Sequence, residues 1–175
     1  MCRASNTLGI RPTHMEWRED AMCIYFAHQK NDQGGQQFRD PRHIYANLLS
    51  PSICPILVLA ISWATSGFGK SDLLFEGNIQ YEKFQKLLKQ LLAVDDVMKE
   101  LNRTRKAPET LRTHSFKKRG SGYCSSGSTA CPPSTAVSLR AGWTLGGVQN
   151  TYLRYESAGD MYVGRTVAGL PLETP

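Results

Sequence analysis

Seven basic side chains crowd one short stretch of this 175-residue sequence. They are Arg103, Arg105, Lys106, Arg112, Lys117, Lys118 and Arg119, opposed between 103 and 119 only by Glu109. Their surplus equals the net charge of the whole chain, +6 at pH 7. Cations gathered in this way build a local positive potential, and its common partner is the phosphate backbone of nucleic acid. The competing reading is a solvated loop face. Two other patterns offer chemistry and carry less. Ala64 to Ser71 ends in Gly69-Lys70-Ser71, like a phosphate-binding P-loop, but Ala64 stands where the first glycine belongs. Gly77 also follows too soon for the long helix whose N-terminus would face a phosphate, so an ordinary turn is the simpler reading. Cys124 and Cys131 have no second pair at zinc spacing, and no metal site is expected.

The length suits one domain able to bury a core without disulfide staples. With 41% hydrophobic and 21% charged residues, wholesale disorder is excluded. The longest apolar run, Ile53 to Ala64, is too short to span a bilayer, so no membrane partner is expected. No apolar signal segment follows Met1, and five irregularly spaced cysteines fit reduced thiols in an intracellular compartment.

The elements that must position the basic stretch can be read in order. Residues 13 to 45 predict a β-hairpin or small meander. Met22 to Ala27 is rich in strand formers, Asn31 to Gly35 has turn chemistry, and a more polar strand is expected near Gln37 to Ile44, confined to an edge or interrupted by Pro41. Pro51 to Gly67 predicts a helix capped by Ser52, with a buried strand as the alternative. Asn78 to Leu101 predicts one long helix. Its stripe of Phe84, Leu87, Leu88, Leu91, Leu92, Val97, Met98 and Leu101 is expected to face the core. A basic linker broken by Pro108 follows, then a helix from Thr113 to Tyr123, a loop of small residues from Gly127 to Pro133, and a short helix from Ser134 to Arg140 ended by Gly142. A last helix is expected from Gly146 to Ala158, stopping near Gly159-Asp160. The fold class expected is α+β, mostly helical with a small antiparallel hairpin or meander near the N-terminus. One domain is expected over 1–160, with a partly ordered tail over 161–175.

One set of residues in this order carries a resemblance. Thr113-His114-Ser115-Phe116-Lys117 is followed by Arg140-Ala141-Gly142-Trp143, then by Thr151-Tyr152-Leu153-Arg154-Tyr155. This resembles the catalytic half of the tyrosine recombinases, the DNA breaking-and-rejoining integrases, which show His-x-x-Arg, then Gly-His or Gly-Trp, then a Tyr nine residues on. The run from Tyr123 to Pro132 resembles the versions carried by eukaryotic mobile elements of the Crypton type. Upstream, Arg3-Ala4-Ser5-Asn6 stands where the family has Arg-x-x-Glu, and Lys30 stands before the hairpin turn, where the family places its catalytic lysine. The resemblance covers roughly Arg3 to Gly169.

The resemblance implies attack by the Tyr152 oxygen on a DNA phosphodiester, leaving a 3′-phosphotyrosyl link and a free 5′-hydroxyl, with no metal or nucleotide cofactor. Lys30 is then the general acid that protonates the leaving oxygen. Arg3, His114, Lys117 and Trp143 surround the phosphate, where donors aimed at the non-bridging oxygens stabilise developing charge. Arg103, Arg105, Lys106, Arg112, Lys118 and Arg119 contact the DNA backbone. The covalent link conserves bond energy, so rejoining needs no ATP. DNA is the implied partner, a tetrameric synapse the implied oligomer of an active enzyme, and the nucleus the implied location. Tyr155 is the rival nucleophile, three residues late for the family spacing.

Departures from the pattern predict impaired strand cleavage. Lys117 replaces the arginine of His-x-x-Arg and loses its two-pronged grip on phosphate. Arg119 lies about 200° round a helix from Lys117 and cannot stand in. Asn6 replaces the acidic partner of Arg3. The sequence begins almost at Arg3, so a truncated, partly degraded catalytic domain is expected. Two further functions compete: a DNA-binding remnant without chemistry, and a protein-interaction module on the 78–101 helix.

Overall fold

The computed structural model describes residues 4–26, 41–67, 72–127, 130–143 and 157–170. Among these the chain is mostly helical, with one small antiparallel sheet near the N-terminus. A single turn of helix, α1 (Ala4–Leu8), leads to strands β1 (Met15–Arg18), β2 (Ala21–Ile24) and β3 (Arg42–Tyr45). The strand order is β1-β2-β3, all antiparallel. β1 and β2 form a tight hairpin in which Arg18 faces Ala21 across the two-residue turn Glu19-Asp20. Glu19 takes a left-handed backbone angle (φ 49°) there, and the Trp17 indole N–H donates to its carbonyl at 3.0 Å. β3 is an edge strand, as β1 is, and it begins directly after Pro41, which has no N–H to offer a ladder. The turn expected at Asn31 to Gly35 lies outside the described residues.

After the sheet comes α2 (Pro55–Ser66), preceded by a 3-10 turn at Pro51–Ile53. The expected helix is present, and the strand alternative is overturned. The expected cap is corrected: Cys54, not Ser52, closes the helix start, its Sγ accepting from the Leu57 N–H at 3.4 Å. Two prolines explain the shift, because Pro51 opens the 3-10 turn and Pro55 opens the helix. The expected single helix from 78 to 101 is also corrected. It is two, α3 (Gln80–Leu92) and α4 (Asp95–Arg103). Val94 has an extended backbone, and Asp95 and Asp96 begin the second helix, where its dipole favours negative charge. Nor is the apolar stripe core. Phe84, Leu87 and Leu91 are exposed, and neither helix has a buried residue.

The buried core lies elsewhere. α5 (Thr113–Ser126) and α6 (Ser134–Ala141) meet α7 (Ser157–Ala168) around Cys124, Val137 and Val163. α7 packs in turn on β3, where Gly164 lets the helix backbone approach the His43 carbonyl and the Tyr45 ring. The Arg165 guanidinium stacks 4.9 Å from the Tyr45 ring centroid and pairs with Asp20 in the hairpin turn. The predicted stop near Gly159-Asp160 is therefore corrected. Helix runs through both residues to Ala168, and Asp160, Val163 and Gly164 are buried. The region from 161 to 168, expected as the start of a tail, is part of the packed core. The expected start of that helix at Gly146 lies outside the described residues. Among the described residues, no helix is long and apolar enough to cross a membrane.

Candidate nucleic-acid interface

The basic stretch begins at the end of α4. Arg103 is exposed but paired with Glu100 through two contacts of 2.8 and 2.6 Å, and those hydrogen bonds hold the Glu100 carboxyl below its ordinary range. Arg105, in a left-handed turn (φ 51°), and Lys106 are exposed beyond it. A 3-10 turn at Pro108–Thr110 then leads into α5. Arg112 stands at the helix start with an extended backbone, and its N–H donates to Ser115 Oγ at 3.1 Å. This bond and the reverse Ser115 N–H to Arg112 carbonyl contact (2.8 Å) fix where the helix begins. Arg112, Lys118 and Arg119 are exposed.

The α5 turn beginning at His114 matters most. His114 and Lys117 are three residues apart and so share a face of the helix, with Lys118 beside them. His114 is exposed and Lys117 half-buried. One turn further on, Ser121 is buried and donates to the Lys117 carbonyl at 3.0 Å. Phe116 points the other way and meets Phe84 of α3 edge-on, with ring centroids 6.1 Å apart. Beside that pair, α1, α3 and the first turn of α5 enclose an open apolar cavity of about 490 Å³.

Trp143 reaches the same face from α6. The helix ends in a left-handed glycine, Gly142 (φ 64°). Its N–H donates to the Leu139 carbonyl at 3.0 Å, and the Trp143 N–H donates to Ser138 at 2.9 Å. This pair of bonds is a Schellman turn, which glycine favours because it needs positive φ. The turn leaves Trp143 about half exposed (47%) with its ring 5.9 Å from Lys117 Nζ. A cation at that distance from an indole face is attracted to it. Lys117 and Trp143 thus meet between two helices, and His114 lies one turn from Lys117 on α5. Arg119 is on another side of α5, and Arg103 spends its charge on Glu100. Arg3, Lys30 and Tyr152 lie outside the described residues, as does Tyr155.

Behind this surface is a buried ionic cluster that no motif in the sequence signals. Asp160 of α7 accepts from Arg140 Nη1 (2.6 Å), from the His43 N–H (2.9 Å), from His43 Nδ1 (3.0 Å) and from Arg42 Nη1 (3.4 Å). An ionised carboxylate only accepts, so the His43 ring proton is on Nδ1. Arg140 also donates to the carbonyls of Asp160 (2.9 Å) and His43 (2.8 Å). Burial alone would push the Asp160 carboxyl up. The His43 hydrogen bond and the Arg140 and Arg42 guanidiniums outweigh it and hold the group below its ordinary value. A trace was present in the sequence for one member: Arg140 is the lone charge in a helix otherwise made of small and apolar residues.

Gly69-Lys70-Ser71 of the P-loop-like run lies outside the described residues. Ala64 to Ser66 closes α2 and Gly67 caps it, so a helix stands where a P-loop needs a strand. Burial raises the Cys124 thiol above its ordinary pKa, which leaves it a packing residue. Among the described residues, no group of three or more His, Cys, Asp or Glu side chains is placed to hold a metal. No known family model, curated protein or solved structure matches this chain.

Proposed function

We propose that this chain is a tyrosine recombinase-like DNA-binding domain whose α5–α6 surface seats a backbone phosphate. The observation that carries the reading is the meeting of Lys117 with Trp143, with His114 one turn away on the same helix face. His114 and Lys117 come from one part of the resembling motif and Trp143 from another. The Lys117–Trp143 contact supports the reading, because phosphate binding by that motif needs an ammonium and an indole close together, with an imidazole within reach. Exposed Arg105, Lys106, Arg112, Lys118 and Arg119 extend the positive charge along the chain from this point. The domain would act in DNA recombination or integration, in the nucleus, with the Tyr152 oxygen as the attacking group and Arg3 and Lys30 completing the site.

Lys117 argues that the chemistry has decayed while binding persists. One ammonium in place of a fork loses a transition-state donor, and such a loss commonly lowers a rate by ~100- to 1,000-fold. Supercoiled DNA incubated with the protein is therefore expected to give no covalent phosphotyrosyl adduct. An adduct that disappears in Tyr152→Phe would show that cleavage survives and overturn the decayed reading.

Binding has its own signature. If about six phosphates are neutralised, affinity for a short duplex falls roughly 10³-fold between 50 and 200 mM salt. Lys118→Ala is expected to reduce the slope of log affinity against log salt by about one. A duplex that does not bind removes DNA as the partner, and one that binds without salt dependence removes the phosphate contacts. The exposure of Phe84, Leu87 and Leu91 on α3 favours a second reading, a protein-interaction module on that helix. Salt-insensitive association with a protein partner would point there.

A further inference from the structure

We propose that Asp160, Arg140 and Arg42 are positioning residues for the phosphate-facing site: they hold the end of α6 so that Trp143 stays against Lys117. The inference rests on the reading of that site given above. None of the three is placed to touch a phosphate. Arg140 and Asp160 are buried and Arg42 nearly so, with 4%, 2% and 11% of their side chains exposed.

α6 is a weak element on its own. It has eight residues, about two turns, too short to be stable without tertiary contacts. Its far end must be held from outside, and the cluster does this at two points. Arg140, in the last turn, is fixed to α7 through the Asp160 carboxylate and carbonyl, and to β3 through the His43 carbonyl. Arg42 Nη2 donates to the Leu139 carbonyl at 3.2 Å. That carbonyl also accepts the Gly142 N–H, one of the two bonds that close the Schellman turn. The same oxygen therefore joins β3 to the turn that aims Trp143, one residue further on. Asp160 sets both arginines, since it accepts from each.

The test is a double-mutant cycle with two readouts, affinity for a short DNA duplex and stability to denaturant. Asp160→Asn keeps the shape of the carboxylate and removes its charge. Trp143→Ala removes the group being positioned. Each single variant is expected to weaken duplex binding by about tenfold, the size of one lost bond to a charged group. The double variant should bind no more weakly than Trp143→Ala alone, because Asp160 acts through Trp143. Lys118→Ala, outside the cluster, should add its full effect to either. Multiplying effects of Asp160→Asn and Trp143→Ala would overturn the proposal. So would an Asp160→Asn protein of reduced stability that binds as the wild type does.

Arg42→Met keeps the test open if Asp160→Asn does not fold. It removes the bond to Leu139 and the longer contact with Asp160, and leaves the Arg140–Asp160 pair intact. With Trp17→Phe and Trp63→Phe, Trp143 is the one tryptophan in the chain. Arg42→Met is then expected to shift Trp143 emission to the red and raise its quenching by iodide in protein that remains folded. Unchanged emission overturns the proposal. This readout involves no DNA, so it separates the two ideas. If Trp143→Ala and Lys117→Ala both leave duplex binding intact, the phosphate site is wrong, while the emission shift still reports whether the cluster positions Trp143.

Discussion

Asp160→Ala is expected to lower folding stability by about 3–5 kcal/mol, the usual result of removing one partner from a buried ion pair. The size follows from what is left behind. Arg140 would keep its charge with only 4% of its side chain exposed, and Nε already lacks a hydrogen-bond partner among the described residues. The His43 N–H and Nδ1–H and Arg42 Nη1 would lose the Asp160 carboxylate as acceptor together. None of these groups can turn to water without separating β3, α6 and α7. Urea denaturation at neutral pH measures the loss, and a change under 1 kcal/mol would show that the cluster contributes little. The same carboxylate predicts a pH dependence. Its folded pKa is held below that of the unfolded chain, so its contribution is full above the ordinary aspartate value of about 4. It is lost as pH falls through the lower folded value. Wild-type stability should therefore fall steeply below about pH 4, and the difference from Asp160→Ala should narrow there.

Gly164→Ala is the second substitution with a large expected effect. Alanine in place of glycine inside a solvated helix normally adds about 1 kcal/mol of stability. Here the sign reverses. A Cβ at 164 would lie 2.7 Å from the His43 carbonyl oxygen and 2.9 Å from Cε2 of Tyr45. The carbonyl cannot yield cheaply. It accepts from Arg140, and its strand is paired with β2 opposite Cys23. The Tyr45 ring is almost fully buried and covered by Arg165. Helix α7 must move off the sheet, and overpacking of that kind costs about 1–3 kcal/mol. Gly164→Val should be worse. A Gly164→Ala protein with an unchanged or higher denaturation midpoint would mean that α7 and β3 are not in close contact.

Both substitutions act on one junction, and that junction separates what the sequence alone could determine from what only the folded chain decides. Local physics was readable. The strand formers from Met22, the bar that Pro41 sets on strand pairing, the helix across Pro55 to Ser66 and the stop at Gly142 all depend on neighbours a few residues away, and the structure has them. The basic stretch was equally legible, because charge does not wait for folding to be present. Patterning failed where a periodic stripe had to be assigned a partner. Phe84, Leu87 and Leu91 recur at helical spacing, but spacing fixes only which side chains share a face, not whether anything covers it. Helix limits failed where two signals competed. Gly159 and Asp160 read as a helix stop, since both are poor helix formers. Tertiary contact outweighed that preference by giving the Asp160 carboxylate two arginines and a histidine. The partners are 20 residues away at Arg140 and 117 at His43. No local rule relates residues at such separations; a helix laid across an edge strand brings them together. The contact of Lys117 with Trp143 belongs to the same class. The sequence supplied the residue types and their order, and the packing of α5, α6 and α7 around Cys124, Val137 and Val163 decided that the two side chains meet.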